Sequence, residues 1–210
     1  MLKRNRREDI LKAAIGIFSH KGYHDTTISD IIKSANIARG TFYLYFDHKK
    51  QIFDSILNAL LVELDQCIKN IEVGKDRPHP LNQLRGNLTR VFTLLIENPD
   101  LSRILLRHAT GLDEESDQRI TEFYSKIAFT IEDALRLGIK MGLIRDCNPK
   151  ISSYCILGGI KEVIEHFSLT RKGASEIDTI VEEVLNFGIH GLKNPALPSY
   201  FVQKNKQNSN

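Results

Sequence analysis

The chain reads as a succession of apolar stripes at helical spacing, each closed by a helix breaker. Ile10, Ala13, Ala14, Ile17 and Phe18 share one face of a helix predicted over 5–21, with Gly22 as its stop. Two short helices follow, over 28–34 and 38–45, joined by the turn Ala35-Asn36-Ile37. Thr27 stands where it can cap the first of them, with Asp30 at the capping-box position. A long helix is expected over 48–73, capped by Asp47 and ended by Gly74. Residues 74–80, rich in Gly, Pro and charge, form the clearest loop. Beyond it lie helices over 81–97, 100–109 and 115–141, then 149–170 behind Asn148-Pro149 and 176–192 behind Ser175. A tail over 195–210, rich in Asn, Gln, Lys and Ser, reads as flexible. With no sustained period-two alternation of β-branched residues, the pattern predicts an all-α fold.

Composition adds little until charge is mapped. The 210 residues have a formal net charge of +3 and ordinary globular composition, 41% hydrophobic and 26% charged, which excludes a wholly disordered chain. Residues 1–50, however, hold ten Lys/Arg against five Asp/Glu, while the remaining 160 hold 19 against 21. A basic head on a slightly acidic body suits a polyanionic partner, although a solvated face gives the same count. No run reaches the ~18 apolar residues of a membrane span, and the first residues lack the apolar core of a signal peptide. Cys67, Cys147 and Cys155 have no metal-type spacing, so reduced thiols and a cytoplasmic location are expected.

Residues 28–45 have the layout of a helix-turn-helix, in which one helix braces across the phosphate backbone and the next enters the major groove. Ile28, Ile31, Ile32, Ile37 and Phe42 can bury against the first helix, leaving Arg39, Gly40, Thr41, Tyr43 and Tyr45 outward. Arg reads guanine edges bidentately and Thr can touch a thymine methyl. Gly40 weakens its helix by about 1 kcal/mol relative to Ala. It is compatible with close backbone approach to DNA and with relief of helix packing.

The segment TTISDIIKSANIARGTFYLYFDHKKQIF, residues 26–53, resembles the DNA-binding segment of TetR-family transcriptional repressors. Thr27, Arg39-Gly40-Thr41, Tyr43, Phe46 and Lys49 stand at the places of that pattern. The resemblance implies phosphate contacts by Thr27, Tyr43 and Lys49 and groove contacts by Arg39, Gly40, Thr41 and Tyr45. It gives Phe46 a packing role. Two departures are visible: Ala38 replaces a common Ser, removing a hydroxyl cap, and Lys50-Gln51 replaces acids, which should strengthen non-specific attraction to DNA. The basic arm Lys3, Arg4, Arg6 and Arg7 can add phosphate contacts or be merely solvated. His20 and His24 lose a shared helical face at Gly22, so no metal is expected there.

The expected organisation is a three-helix DNA-binding domain over 1–47 and a larger helical effector-binding and dimerisation domain over 48–194. In 149–170, Ile151, Tyr154, Cys155, Gly158, Ile160, Lys161, Ile164 and Glu165 recur at helical spacing. In 176–192, Ile177, Val181, Val184, Gly188 and Leu192 do the same. Pattern alone lets both stripes bury within one subunit; the resemblance implies a homodimer through these two helices. Phe92, Leu95, Leu105, Phe123, Tyr124, Ile127 and Phe129 are candidates to line an effector pocket, although apolar stripes at helical spacing read first as plain core. Arg103, Arg107 and His108 could pin an anionic ligand or form a solvated face. No nucleotide-binding, zinc-protease or hydrolase motif supports an enzyme, and no cofactor is expected. The implied function is a repressor that binds a palindromic double-stranded operator and is released by a small-molecule effector of unknown identity. The rival is a constitutive DNA-binding protein of the same fold. A large apolar cavity in the body would favour the first, a filled body the second.

Overall fold

The computed structural model describes residues 6–109, 111–169 and 173–192. Among them the regular structure is helical and there is no β-strand. The head comprises α1 (Arg6–Asp25), α2 (Ile28–Ala35) and α3 (Arg39–Tyr43). The body comprises α4 (Lys49–Cys67), α5 (Pro80–Glu97), α6 (Pro99–Arg103), α7 (Glu114–Lys140), α8 (Pro149–Leu169) and α9 (Ile177–Leu192). A tail over 195–210 lies outside the described residues, as do Lys3 and Arg4.

Local signals set the head. Gly22 breaks α1 with φ 78° and ψ 170°, a left-handed conformation that glycine adopts without steric cost, and one short turn follows before Asp25. Thr27 caps α2 as expected: its Oγ1 accepts from the Asp30 N–H at 3.1 Å, and the Asp30 carboxylate accepts from the Thr27 N–H at 3.0 Å. Asn36 ends α2 in the left-handed region, φ 50° and ψ 55°, which Asn tolerates better than most residues and which swings the chain into α3. Ala38 provides no side-chain cap, and α3 is only five residues long, shorter than the predicted 38–45. Ile10, Ala14, Phe18, Ile31, Phe42 and Phe46 fill the centre of the head, with Phe18 stacking edge-on against Phe53 of α4 at 5.4 Å.

The body departs from the predicted boundaries in three places. The cap of α4 is His48, not Asp47: its Nδ1 accepts from the Gln51 N–H at 3.1 Å, while Gln51 Oε1 accepts from the Asp47 N–H at 2.8 Å. Helix α4 also ends at Cys67, well short of 73. Amide side chains of α5 bind the backbone beyond it. Asn87 bonds both polar groups of Lys69, and Gln83 bonds both polar groups of Glu72, at 2.7–3.2 Å. The predicted helix over 100–109 splits into α6 and a π-helical turn, Ile104–His108. Asn148 and Pro149 start α8 as expected, Asn148 Oδ1 accepting from the Ile151 N–H at 3.1 Å. Ser175 lies in a 3₁₀ turn, Gly173–Glu176, that leads into α9. The core is continuous from head to body: α1 packs on α4, α6 and the π turn, α5 on α8 and α9, and α7 on α8.

Candidate nucleic-acid interface

Helix α3 rests on α1 and α2 through Phe42 and Phe46, both buried and four residues apart. That spacing fixes which residues face out. Arg39 and Gly40 are exposed, Thr41 is half-buried, and Tyr43, Leu44 and Tyr45 are 44%, 80% and 40% exposed. The Arg39 guanidinium stands 6.0 Å from the Tyr43 ring, so the two can move as a stacked pair. Leu44 is the residue that sequence reasoning missed. Its signal was available: it falls between Phe42 and Phe46, out of register with every buried position of the head. A large apolar side chain this exposed, flanked by two tyrosines and a basic residue, is suited to thymine methyls or sugar edges.

A Cβ built on Gly40 would meet no atom within 4 Å among the described residues. Intramolecular packing therefore does not require glycine there. Thr27 is exposed at the N-terminus of α2, and its oxygen already accepts from Asp30, so its O–H remains to donate. Lys21 pairs with Asp30 at 2.8 Å; that hydrogen bond and those from Thr27 hold the Asp30 carboxyl down at about 2. Arg7 of the basic arm lies over the Phe46 ring at 5.3 Å, and Arg6 pairs with Asp9 at 3.6 Å. His20 hydrogen-bonds Ser19 and Gly16, and no metal-type cluster occurs among the described residues.

The two lysines that follow α3 point inward. The Lys49 ammonium donates to the carbonyls of Tyr23, His24 and Thr26 and lies 4.3 Å from the Tyr23 ring centroid. Burial pushes its pKa down from the ordinary lysine value, with Asp25 opposing. This geometry differs from the phosphate contact implied for Lys49: the cation closes the last turn of α1, at the negative end of the helix dipole. Lys50 pairs with Asp54 at 2.9 Å, Glu115 at 3.4 Å and Asp113 at 3.5 Å. It ties the start of α4 to that of α7, in place of the non-specific attraction to DNA expected of it. The opposite side of α1 is gripped by the body. Asp100 accepts from Ser19 Oγ at 2.7 Å, His108 Nε2 meets the Ser19 carbonyl at 3.2 Å, and the His108 ring lies against Gly22. Head and body thus meet around the end of α1.

Comparison with known proteins bears on the same segments. Residues 10–56 match the family described as "Bacterial regulatory proteins, tetR family", and residues 78–192 match "Tetracyclin repressor-like, C-terminal domain". The chain belongs to the TetR family. It is thus a transcriptional regulator with a DNA-binding helix-turn-helix. It is 27% identical over 188 residues to the HTH-type transcriptional regulator YdgC of Bacillus subtilis, covering 89% of this chain and 92% of that one. Two solved structures share the fold at lower identity. One is FadR from Bacillus subtilis with stearoyl-CoA, TM-score 0.64, 22% identical, covering 88% of this chain and 98% of that one. The other is AibR with isovaleryl coenzyme A and operator DNA, TM-score 0.66, 20% identical, covering 91% and 100%.

In this TetR-family chain the candidate pocket residues divide between core and surface. Phe92, Leu95 and Leu105 are buried core, Phe123, Tyr124 and Ile127 are half-buried, and Phe129 is 63% exposed. Arg107 pairs with Glu165 at 2.7 Å, and His108 belongs to the joint described above. Two depressions lie on the surface: an acidic one of about 670 Å³ around Asp113, Asp117 and Glu122, and one of about 200 Å³ between Ile68 and Ile127. Helices α8 and α9 bury Leu157, Ile164, Ile180, Val181 and Leu185, and turn Ile151, Tyr154 and Phe187 outward. A Cβ on Gly158, Gly159 or Gly188 would meet nothing within 4 Å among the described residues. No helix among the described residues is long and apolar enough to cross a membrane.

Proposed function

We propose that this TetR-family regulator is a repressor that binds a palindromic operator as a homodimer and releases it when a small molecule occupies the body. The observation that carries the reading is the exposed row Arg39, Gly40 and Tyr43 of α3, continued by Leu44 and Tyr45 in the turn that follows, opposite Phe42 and Phe46 buried in the head. In this reading Arg39 and Tyr45 contact base edges, Thr41 and Leu44 touch methyl groups, and Thr27 and Tyr43 donate to phosphates. Lys49 acts from behind, by holding α4 to the end of α1. Residues 1–47 read DNA, and residues 48–194 carry the effector and dimer functions.

Dimerisation through α8 and α9 is supported by their outward face. Phe187 is 86% exposed, and mid-helix glycines with open space beside them let another helix approach closely. Two heads related by a two-fold axis then occupy successive major grooves about 34–36 Å apart. Ligand control is supported by the solved relatives of the same fold that hold stearoyl-CoA or isovaleryl coenzyme A, which makes an acyl thioester the first effector class to try. An effector needs a differential affinity of about 1–3 kcal/mol for the non-binding conformer to lower operator affinity 5–150-fold.

The constitutive alternative draws on one observation, the burial of Phe92, Leu95 and Leu105 in the core. Titrating acyl-CoAs of increasing chain length into the operator complex separates the two. Release at stoichiometric ligand is the expected result. A complex unchanged by every chain length favours the constitutive protein.

A further inference from the structure

Tyr124 of α7 carries a phenolic oxygen with no solvent exposure and no hydrogen-bond partner among the described residues. Natural interiors rarely leave such a group unmatched, because its desolvation is not recovered. Over its ring, 4.0 Å from the centroid, stands the ammonium of Lys161 from α8. Lys161 is half-buried and makes neither an ion pair nor a hydrogen bond among the described residues. Its neighbours one turn away on α8 behave differently: Leu157 and Ile164 enter the core, and Glu165 takes Arg107. Two unmatched polar groups from facing helices therefore meet at one place in the body.

The chemistry of the pair selects what could complete it. The lysine is a donor only and carries a positive charge. Burial pushes the Tyr124 phenol up to about 12, so it keeps its proton at neutral pH and is also available to donate. The ring face, which could otherwise attract a cation, is already covered by Lys161. The missing partner is thus an acceptor, and an anion matches the charge. The surroundings are apolar: Phe123 packs against Tyr124 at 5.7 Å, and Ile120 and Ile164 are buried beside this face.

We infer that Tyr124 and Lys161 form the anion-binding end of an effector site whose ligand is a carboxylate or related oxyanion on a hydrocarbon body. This deepens, and rests on, the ligand-responsive reading of the body.

The test is calorimetric titration of the full-length protein with decanoate and with its neutral counterpart decanol. The variants are Tyr124→Phe and Lys161→Met. Tyr124→Phe removes no hydrogen bond from the unliganded protein, so its melting temperature should stay level or rise. Each substitution should weaken decanoate binding about tenfold or more while leaving decanol binding nearly unchanged. Decanoate bound equally by wild type and both variants would overturn the anchor and leave a ligand-binding body standing. Equal affinity of the wild type for decanoate and decanol would overturn it too, because no charge would be read. If decanoate does not bind at all, the anchor fails, and ligand control rests on the operator-release titration alone.

Discussion

Gly40 has no neighbour that requires it to lack a side chain, yet it is the second residue of the shortest helix of the head. A glycine inside a helix costs up to about 1 kcal/mol of propensity relative to alanine, and we propose that its use here lies outside the protomer. Gly40→Ala should raise thermal stability slightly and weaken operator binding, as read by melting temperature and by fluorescence anisotropy on the same sample. A variant that binds as well as wild type would return Gly40 to an ordinary solvated position. Leu44 belongs to the same argument, since burying Phe42 and Phe46 at i and i+4 forces the residues between them outward. Much of this tip was legible from residue type and spacing alone: Thr27 with Asp30 reads as a capping box, and Arg39 with the aromatic pair reads as an outward row. The fate of Lys49 was not legible. A lysine after an aromatic tip looks like a phosphate ligand until the carbonyls of Tyr23, His24 and Thr26, more than twenty positions earlier, are brought to it.

At the scale of elements, the joint between α1 and α4 decides how the head is carried. The Lys49 ammonium satisfies three carbonyls where α1 ends, and their loss should be felt as stability. Lys49→Met should destabilise the protein by about 2 kcal/mol, given that hydrogen bonds to a charged group contribute roughly 1.5–3 kcal/mol each and solvent replaces part of them. The salt dependence of operator binding should keep its slope. A phosphate contact would instead remove about 0.9 from the slope of log affinity against log salt. Denaturant melts and binding at several salt concentrations give both quantities. Other element boundaries show where local reasoning stops. Helix α4 was expected to reach residue 73, with Gly74 as its stop. Asn87 and Gln83, one turn apart on α5, hydrogen-bond the backbone of Lys69 and Glu72 instead, and the helix ends at Cys67. The π turn at Ile104–His108 carries no residue signature either. It brings His108 onto Ser19 and Gly22, a contact between parts of the chain 89 residues apart.

At the scale of the whole molecule, the two most exposed large apolar side chains are Phe187 at 86% and Leu44 at 80% among the described residues. They lie at opposite functional ends, one on the outward face of α8 and α9 and one on the tip of α3. Phe187→Glu should leave the protomer folded, since the side chain touches little of it, and yield a monomer by analytical ultracentrifugation. Operator affinity should then fall on the order of 100-fold or more, because linked half-sites gain that much from their effective concentration. The all-helical architecture and the basic head were readable from periodicity and charge. Whether the body holds a ligand was not, because Phe92 and Leu105 occupy helical positions that suit a filled core and a pocket wall alike.

The central claim is that the exposed row of α3 is the DNA-reading surface of this regulator. The most direct test is a quantitative gel shift of the selected operator with the double variant Arg39→Ala, Tyr43→Ala, run beside ultracentrifugation of the same preparation. The account predicts wild-type assembly and a loss of affinity on the order of 100-fold or more, since each base or phosphate anchor contributes roughly 1–3 kcal/mol. A double variant that assembles normally and shifts the operator at wild-type concentrations would contradict it.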